Sequence, residues 1–249
     1  MKKEAFDINI TKAELDSVFE NYSIISLLNL MDKQFPNMYN QDVGVFEGYT
    51  LYEHTFMVLS QFEKYYCDKI LPGKFNKDVF RLFLALHDIG KPIAVYVGDL
   101  KLQHQYSSEY ITILFEFLQI SLDETRALMS ILNFDLGDYL RGRVSIEQTR
   151  ESLIQLALNA SMSLNESFEL IVLYFKVDAG SYTENAGGIY SLDNLFVFDE
   201  ESLQINLASE VQSKIDLVFI DFHGQLQIER MMARRIRLNN FNSRFKRGL

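Results

Sequence analysis

Between residues 77 and 88 the chain reads KDVFRLFLALHD. From Val79 to Leu86 only Arg81 is polar, so a helix built from this stretch carries apolar side chains on nearly every face. Such a helix has no face that prefers water and must be surrounded by other elements. The rest of the chain can supply them. AELDSVFENYSIISLLNLMDKQF and LYEHTFMVLSQFEKYYCDKI repeat their apolar residues with the period of an amphipathic helix, and LPGKFN ends the second. SSEYITILFEFLQI, DETRALMSILNF, IEQTRESLIQLALNAS and NESFELIVLYFKVD follow in the same pattern. Asp123 and Asn165 stand where an N-cap is useful. The expectation is a mostly α-helical, all-α domain. SLDNLFVFDEESLQINLASEVQ leaves room for a short strand pair or an irregular element around 190–206, and KIDLVFIDFHGQLQIERMMARRIRL for two helices broken near Gly224.

A chain of 249 residues, 48% hydrophobic with three prolines, can bury a full core. It contains no run of 18 apolar residues, so no transmembrane helix is expected. The opening MKKEAFDINITKAEL has two lysines but no apolar signal core behind them. Cys67 is the single cysteine, which excludes a disulfide within the chain and a cysteine-based zinc cluster. These features suit a reducing, cytoplasmic setting, and they are silent on export without a cleaved signal.

The net charge of −10 is unevenly spread. Residues 230–249 hold seven basic residues and no acid, leaving 17 basic against 34 acidic residues in the first 229. An acidic body disfavours nonspecific nucleic-acid binding. The basic end either packs as a helix on that body or holds RNA or an anionic membrane surface.

The chemistry gathers around histidines and helix ends. Of the four histidines, three fall within 51 residues: His54 in GYTLYEHTFMVL, His87 beside Asp88 where the buried helix stops, and His104 in LQHQYSSEY. A second apolar helix ends in Asp178, within IVLYFKVDAGSY. Both aspartates are followed two residues later by a glycine, Gly90 and Gly180, which suits a left-handed cap past a helix end. A carboxylate at a helix C-terminus opposes the macrodipole by roughly 0.3–1 kcal/mol, and burying it uncompensated costs several times more. Two such carboxylates call for a nearby cation. A divalent ion held by imidazole nitrogens and carboxylate oxygens answers that need, and mixed ligation of this kind suits Mn, Fe, Zn, Ni or Co.

The order His…His-Asp…Asp, with HDIGKP around the doublet, resembles the HD-domain superfamily of metal-dependent phosphohydrolases over roughly residues 50–182. The closest flavour is the helical HD domain of some bacterial tRNA nucleotidyltransferases. The resemblance implies an all-α HD helical bundle and one divalent ion (Mn, Fe, Ni, Co, Zn or Mg). His54, His87, Asp88 and Asp178 would be its ligands. It implies catalytic roles for Asp88, Lys91 and His104: Asp88 would orient or deprotonate water, Lys91 would face the substrate phosphate, and His104 would bind phosphate or donate a proton. The expected organisation is an N-terminal helical extension over 1–50 packed on the core, the HD core over 50–182, and a C-terminal extension over 183–249 ending in a basic helix or tail.

The chain also departs from that pattern. A nucleotidyltransferase head with its Gly-Ser…Asp-x-Asp signature is not expected in the first 50 residues, and Ser107 and Ser108 replace glycines that often accompany the third histidine. A single histidine between the doublet and Asp178 favours one ion over two, and the GYP element of the cyclic-dinucleotide branch is absent. The function implied is hydrolysis of a phosphate ester on a small nucleotide or cyclic phosphate. The alternative is a catalytically retired HD module that binds a nucleotide or a protein partner.

Other residues keep two readings. Arg141, near Asp138 and Arg143 in LGDYLRGR, is either a substrate-binding fork or part of a turn between helices. SYTENAGG, residues 181–188, is a loop at a pocket mouth, with Tyr182 stacking on a base, or an ordinary connection. His223 has no partner in the pattern and reads as structural.

Overall fold

The structure is a computed structural model that describes residues 7–43, 48–134, 136–140, 142–182, 196–199 and 204–214. It is mostly helical: α1 Lys12–Glu20, α2 Ile24–Gln34, α3 Leu51–Tyr65, α4 Lys77–Leu86, α5 Lys91–Val97, α6 Gln103–Phe117, α7 Leu122–Leu132, α8 Leu136–Leu140, α9 Ile146–Asn159 and α10 Leu164–Asp178. The strand pair allowed for around 190–206 is present as β1 Phe196–Asp199 and β2 Gln204–Leu207, antiparallel, with Phe196 opposite Leu207 and Asp199 opposite Gln204. No helix among the described residues is long and apolar enough to cross a membrane.

Local sequence explains where the helices begin. Thr11, Thr50, Ser145 and Ser163 each accept from the backbone N–H three residues on, and Glu14, Glu53, Gln148 and Glu166 reach back to the cap backbone. These reciprocal capping boxes satisfy donors that a helix start leaves open. Ser121 caps α7 through the Glu124 N–H. Asp123 and Asn165 are therefore not the caps: the serines two residues earlier hold that position, and Asp123 adds favourable charge to the first turn of α7.

The all-round apolar helix lies at the centre, as its sequence requires. Val79, Phe80 and Leu82 through Leu86 are buried, with α2, α3 and α6 packed around α4. Phe80 meets the rings of Phe62 at 5.3 Å and Phe83 at 6.0 Å, and Phe83 meets Tyr174 of α10 at 5.5 Å. Burying this many large side chains, each contributing about 1.5–3 kcal/mol, holds the bundle together. Arg81, the one polar member, forks onto Glu63 at 2.8 and 2.9 Å, reaches Asp78 at 2.8 Å and lies over the Tyr22 ring. Leu27, Leu28 and Met31 of α2 belong to the same continuous core as the helices after residue 50.

The end of α4 departs from expectation in one respect. The helix stops at Leu86, and His87 to Gly90 form a turn that runs straight into α5. Gly90 has φ −82° and ψ −12°, a right-handed conformation open to any residue, and Gly180 is not among the described glycines with positive φ. Glycine is needed at 90 for space. A Cβ there would lie 2.4 Å from the Gln103 carbonyl oxygen, 2.4 Å from the Ser107 nitrogen and 2.6 Å from Tyr106 Cβ. The turn is thus pressed against the first turns of α6.

Candidate metal centre

Three elements deliver the site. His54 is the fourth residue of α3, and every backbone donor before it is satisfied. Leu51 N–H donates to the Gln41 carbonyl and Tyr52 N–H to the Tyr39 carbonyl, both at 2.8 Å. Glu53 N–H is capped by Thr50 Oγ1. The start of α3 is therefore fixed by the preceding loop, and His54 with it. His87 and Asp88 sit on the α4–α5 turn, and Asp178 is the last residue of α10.

The four side chains converge. His54 Nε2 lies 3.3 Å from His87 Nε2, 2.9 Å from Asp88 Oδ2 and 3.5 Å from Asp178 Oδ1. His87 Nε2 lies 3.5 Å from Asp88 Oδ2 and 3.4 Å from Asp178 Oδ1. His54, His87 and Asp88 are buried and could hold a metal ion, since one ligand atom from each falls within 4.8 Å of the others. Asp178 flanks them with its side chain one-third exposed. Ligands about 2.1 Å from a shared ion stand roughly 3.0–3.4 Å apart in octahedral or tetrahedral arrangements, so these separations suit one ion.

The surroundings prepare the donors. His87 Nδ1 donates to the Leu84 carbonyl at 2.7 Å, which leaves the Nε2 lone pair of the neutral ring facing the cluster. Burial lowers the pKa of His54 and keeps that ring neutral, with the nearby carboxylates opposing. Burial also pulls His87 down, but Asp88 and Asp178 outweigh it and raise its pKa above the ordinary value. Burial would raise both aspartates. Lys91 and the two imidazoles hold Asp88 well below the usual carboxylate range, and His87 does most to lower Asp178. In this arrangement Lys91 and the two imidazoles are the groups that favour the charged form of the carboxylates.

Lys91 Nζ lies 2.6 Å from Asp88 Oδ2, so it answers the carboxylate directly. Burial would lower the pKa of Lys91, but Asp88 outweighs it and holds the amine charged. His104 stands half-buried in the first turn of α6, the segment pressed on Gly90. Its Nε2 accepts from the Gln103 amide at 3.2 Å, and none of the cluster's contacts reaches it. Tyr182 does not present an open face at a pocket mouth. It is 8% exposed, and its ring stacks on His54 at 4.7 Å and 17°. Arg141, His223 and the basic end lie outside the described residues, as does the side chain of Asp138; Arg143 is exposed.

Two supporting contacts have no counterpart in the sequence reading. Tyr39 is fully buried, and its hydroxyl donates to the Ala85 carbonyl at 2.7 Å, in the last turn of α4. Its own carbonyl receives Tyr52 N–H, so one residue braces the two helices that carry His54 and His87. Ser107 Oγ accepts the Gly90 N–H at 3.0 Å. Neither has a local sequence signal, because each acts over a long separation in the chain. Comparison with known proteins found no matching family model, no similar curated protein and no similar solved structure.

Proposed function

We propose that the chain is a metal-dependent phosphohydrolase of the HD type, acting on a nucleotide or a cyclic phosphate. The observation that carries the reading is the convergence of two imidazole nitrogens, 3.3 Å apart, on which Asp88 and Asp178 each direct a carboxylate oxygen at 2.9–3.5 Å. His54, His87, Asp88 and Asp178 would hold one divalent ion. When bound, such an ion supplies Lewis-acid stabilisation of phosphoryl charge and acidifies water.

The chain's own groups do the rest. Asp88 orients the attacking water and takes its proton. Lys91, beside Asp88, would meet a phosphoryl oxygen as a point charge. His104, on the turn that abuts Gly90, is the nearby imidazole for protonating the leaving oxygen. The acidic body disfavours long nucleic acid and so favours a small phosphorylated substrate, while the basic C-terminal end is the one feature suited to RNA.

The test is elemental analysis of the purified protein and of the His87→Ala/Asp88→Ala double variant, with turnover of bis-p-nitrophenyl phosphate followed alongside. The expected result is about one transition-metal ion per chain, lost together with turnover in the variant. Wild-type protein that takes up no metal after Mn, Ni and Fe have each been supplied would overturn the reading and leave a binding module.

A further inference from the structure

The two imidazoles of the centre are held in different ways. His87 is fixed by a hydrogen bond from Nδ1 to the Leu84 carbonyl. His54 is fully buried, yet its Nδ1 has no hydrogen-bond partner among the described residues. Its polar contacts are therefore confined to Nε2, inside the cluster, and no hydrogen bond on the far side of the ring among the described residues resists rotation about the Cβ–Cγ bond. That rotation would carry Nε2 away from the cluster.

What lies against the His54 ring is Tyr182. The two rings are 4.7 Å apart and within 17° of parallel, and the Tyr49 ring lies 6.4 Å from Tyr182. Tyr182 closes the 3-10 turn Ala179–Tyr182 that follows Asp178 directly, and Ser181 Oγ donates to the Asp178 carbonyl at 2.6 Å within it. One short turn therefore delivers a carboxylate toward His54 Nε2 and an aromatic face onto the plane of the same ring. A flat stack restrains a ring plane without using either nitrogen.

We infer that Tyr182 is a positioning residue for His54, holding its Nε2 toward the cluster in the place that a hydrogen-bonded carbonyl fills for His87. The inference builds on the reading of His54 as a metal ligand. The restraint comes from the ring face and not from the hydroxyl, so phenylalanine can replace tyrosine and an aliphatic residue cannot.

The experiment uses the full chain as wild type, Tyr182→Phe and Tyr182→Leu. Mn²⁺ is titrated by calorimetry, and the metal-free proteins are compared by thermal unfolding and by NMR of the histidine ring protons. Tyr182→Phe is expected to bind Mn²⁺ within about 3-fold of wild type. Tyr182→Leu is expected to bind about 10–100-fold more weakly, the usual cost of losing an outer-shell partner, with broadened His54 ring signals. Equal affinity and sharp His54 signals in Tyr182→Leu would overturn the inference. So would a Tyr182→Phe protein as weak as Tyr182→Leu, because the hydroxyl would then be responsible. If Tyr182→Leu does not fold, Tyr182→Met, which also lacks the flat ring, replaces it and is read by the same criteria. Wild-type protein that takes up no Mn²⁺ counts against the metal reading alone. The ring signals of metal-free Tyr182→Leu then decide the positioning role, broadening supporting it and sharpness ending it.

Discussion

The two aspartates of the centre occupy similar places in the sequence and different places in the structure. Asp88 lies on a turn fixed from several sides. Lys91 pairs with its carboxylate at 2.6 Å, Gly90 is wedged on the α6 backbone, and Tyr39 holds the Ala85 carbonyl just upstream. Asp178 ends α10 with its side chain one-third exposed, and Ser181 ties back to its carbonyl. On the proposed reading, the α4–α5 turn sets where the cation sits. The end of α10 forms the open flank, where a ligand can be exchanged and a substrate can approach.

The largest expected effect separates the two carboxylates. Removing Asp88 leaves Lys91, whose side chain is 18% exposed, without its counter-charge, and breaking such a pair by deleting one partner typically costs about 3–5 kcal/mol. Asp178→Ala removes a more solvated carboxylate, so a loss of about 1 kcal/mol or less is expected. Urea unfolding of the two metal-free variants measures both. Asp88→Ala/Lys91→Met should recover part of the loss, because the stranded ammonium is gone. Equal losses for the two single variants would mean that the corners are not different in kind.

The next effect tests whether the Asp88 turn is rigid because it is crowded. In Gly90→Ala the new Cβ meets backbone atoms of α6 at 2.4 Å, and a backbone cannot give way as a side-chain tip can. Overpacking of this kind costs about 3 kcal/mol. Gly98→Ala, at the far end of α5, is the control. Its φ of +79° strains an alanine by roughly 1–2 kcal/mol, while its Cβ would meet nothing within 4 Å. Thermal unfolding should place Gly90→Ala well below Gly98→Ala. The reverse order would show that α6 moves freely relative to the turn.

Much of this was legible in the chain itself, for reasons that differ by element. The core position of α4 follows from its lack of a polar face, and the helical segments follow from their apolar period. The helix starts were misplaced by two residues because SLDE and SLNE each hold both a serine and an acidic or amide residue that could cap. The serine wins because its partner three residues on, Glu124 or Glu166, stands in the right turn. The meeting of His54, His87, Asp88 and Asp178 was anticipated from a family resemblance, and spacing alone does not give it. Gly90 was assigned to the wrong cause. A glycine after a helix suggests a left-handed cap, whereas the real constraint is the α6 backbone thirteen and more residues away. Long-range braces such as Tyr39 leave no trace in local pattern.

The smallest effect concerns that brace. At the end of α4, Ile89 N–H turns back to the Leu86 carbonyl, which leaves the buried Ala85 carbonyl to the Tyr39 hydroxyl. Tyr39→Phe keeps the ring and all its packing and removes only that donor. An acceptor stranded in the core costs about 1–3 kcal/mol, and the lower half of that range is expected because the carbonyl can tilt toward its neighbours. The loss should be local as well as small. Amide exchange should quicken in the last turn of α4 and the His87–Gly90 turn, with α10 unchanged, since the hydrogen bonds of Tyr39 run to α3 and α4. Metal affinity should fall modestly, by about 3-fold or less, because His87 keeps its own bond to the Leu84 carbonyl. Faster exchange spreading equally through α10 would mean that the two flanks open together, and the contrast between a fixed Asp88 wall and an open Asp178 wall would have to be abandoned.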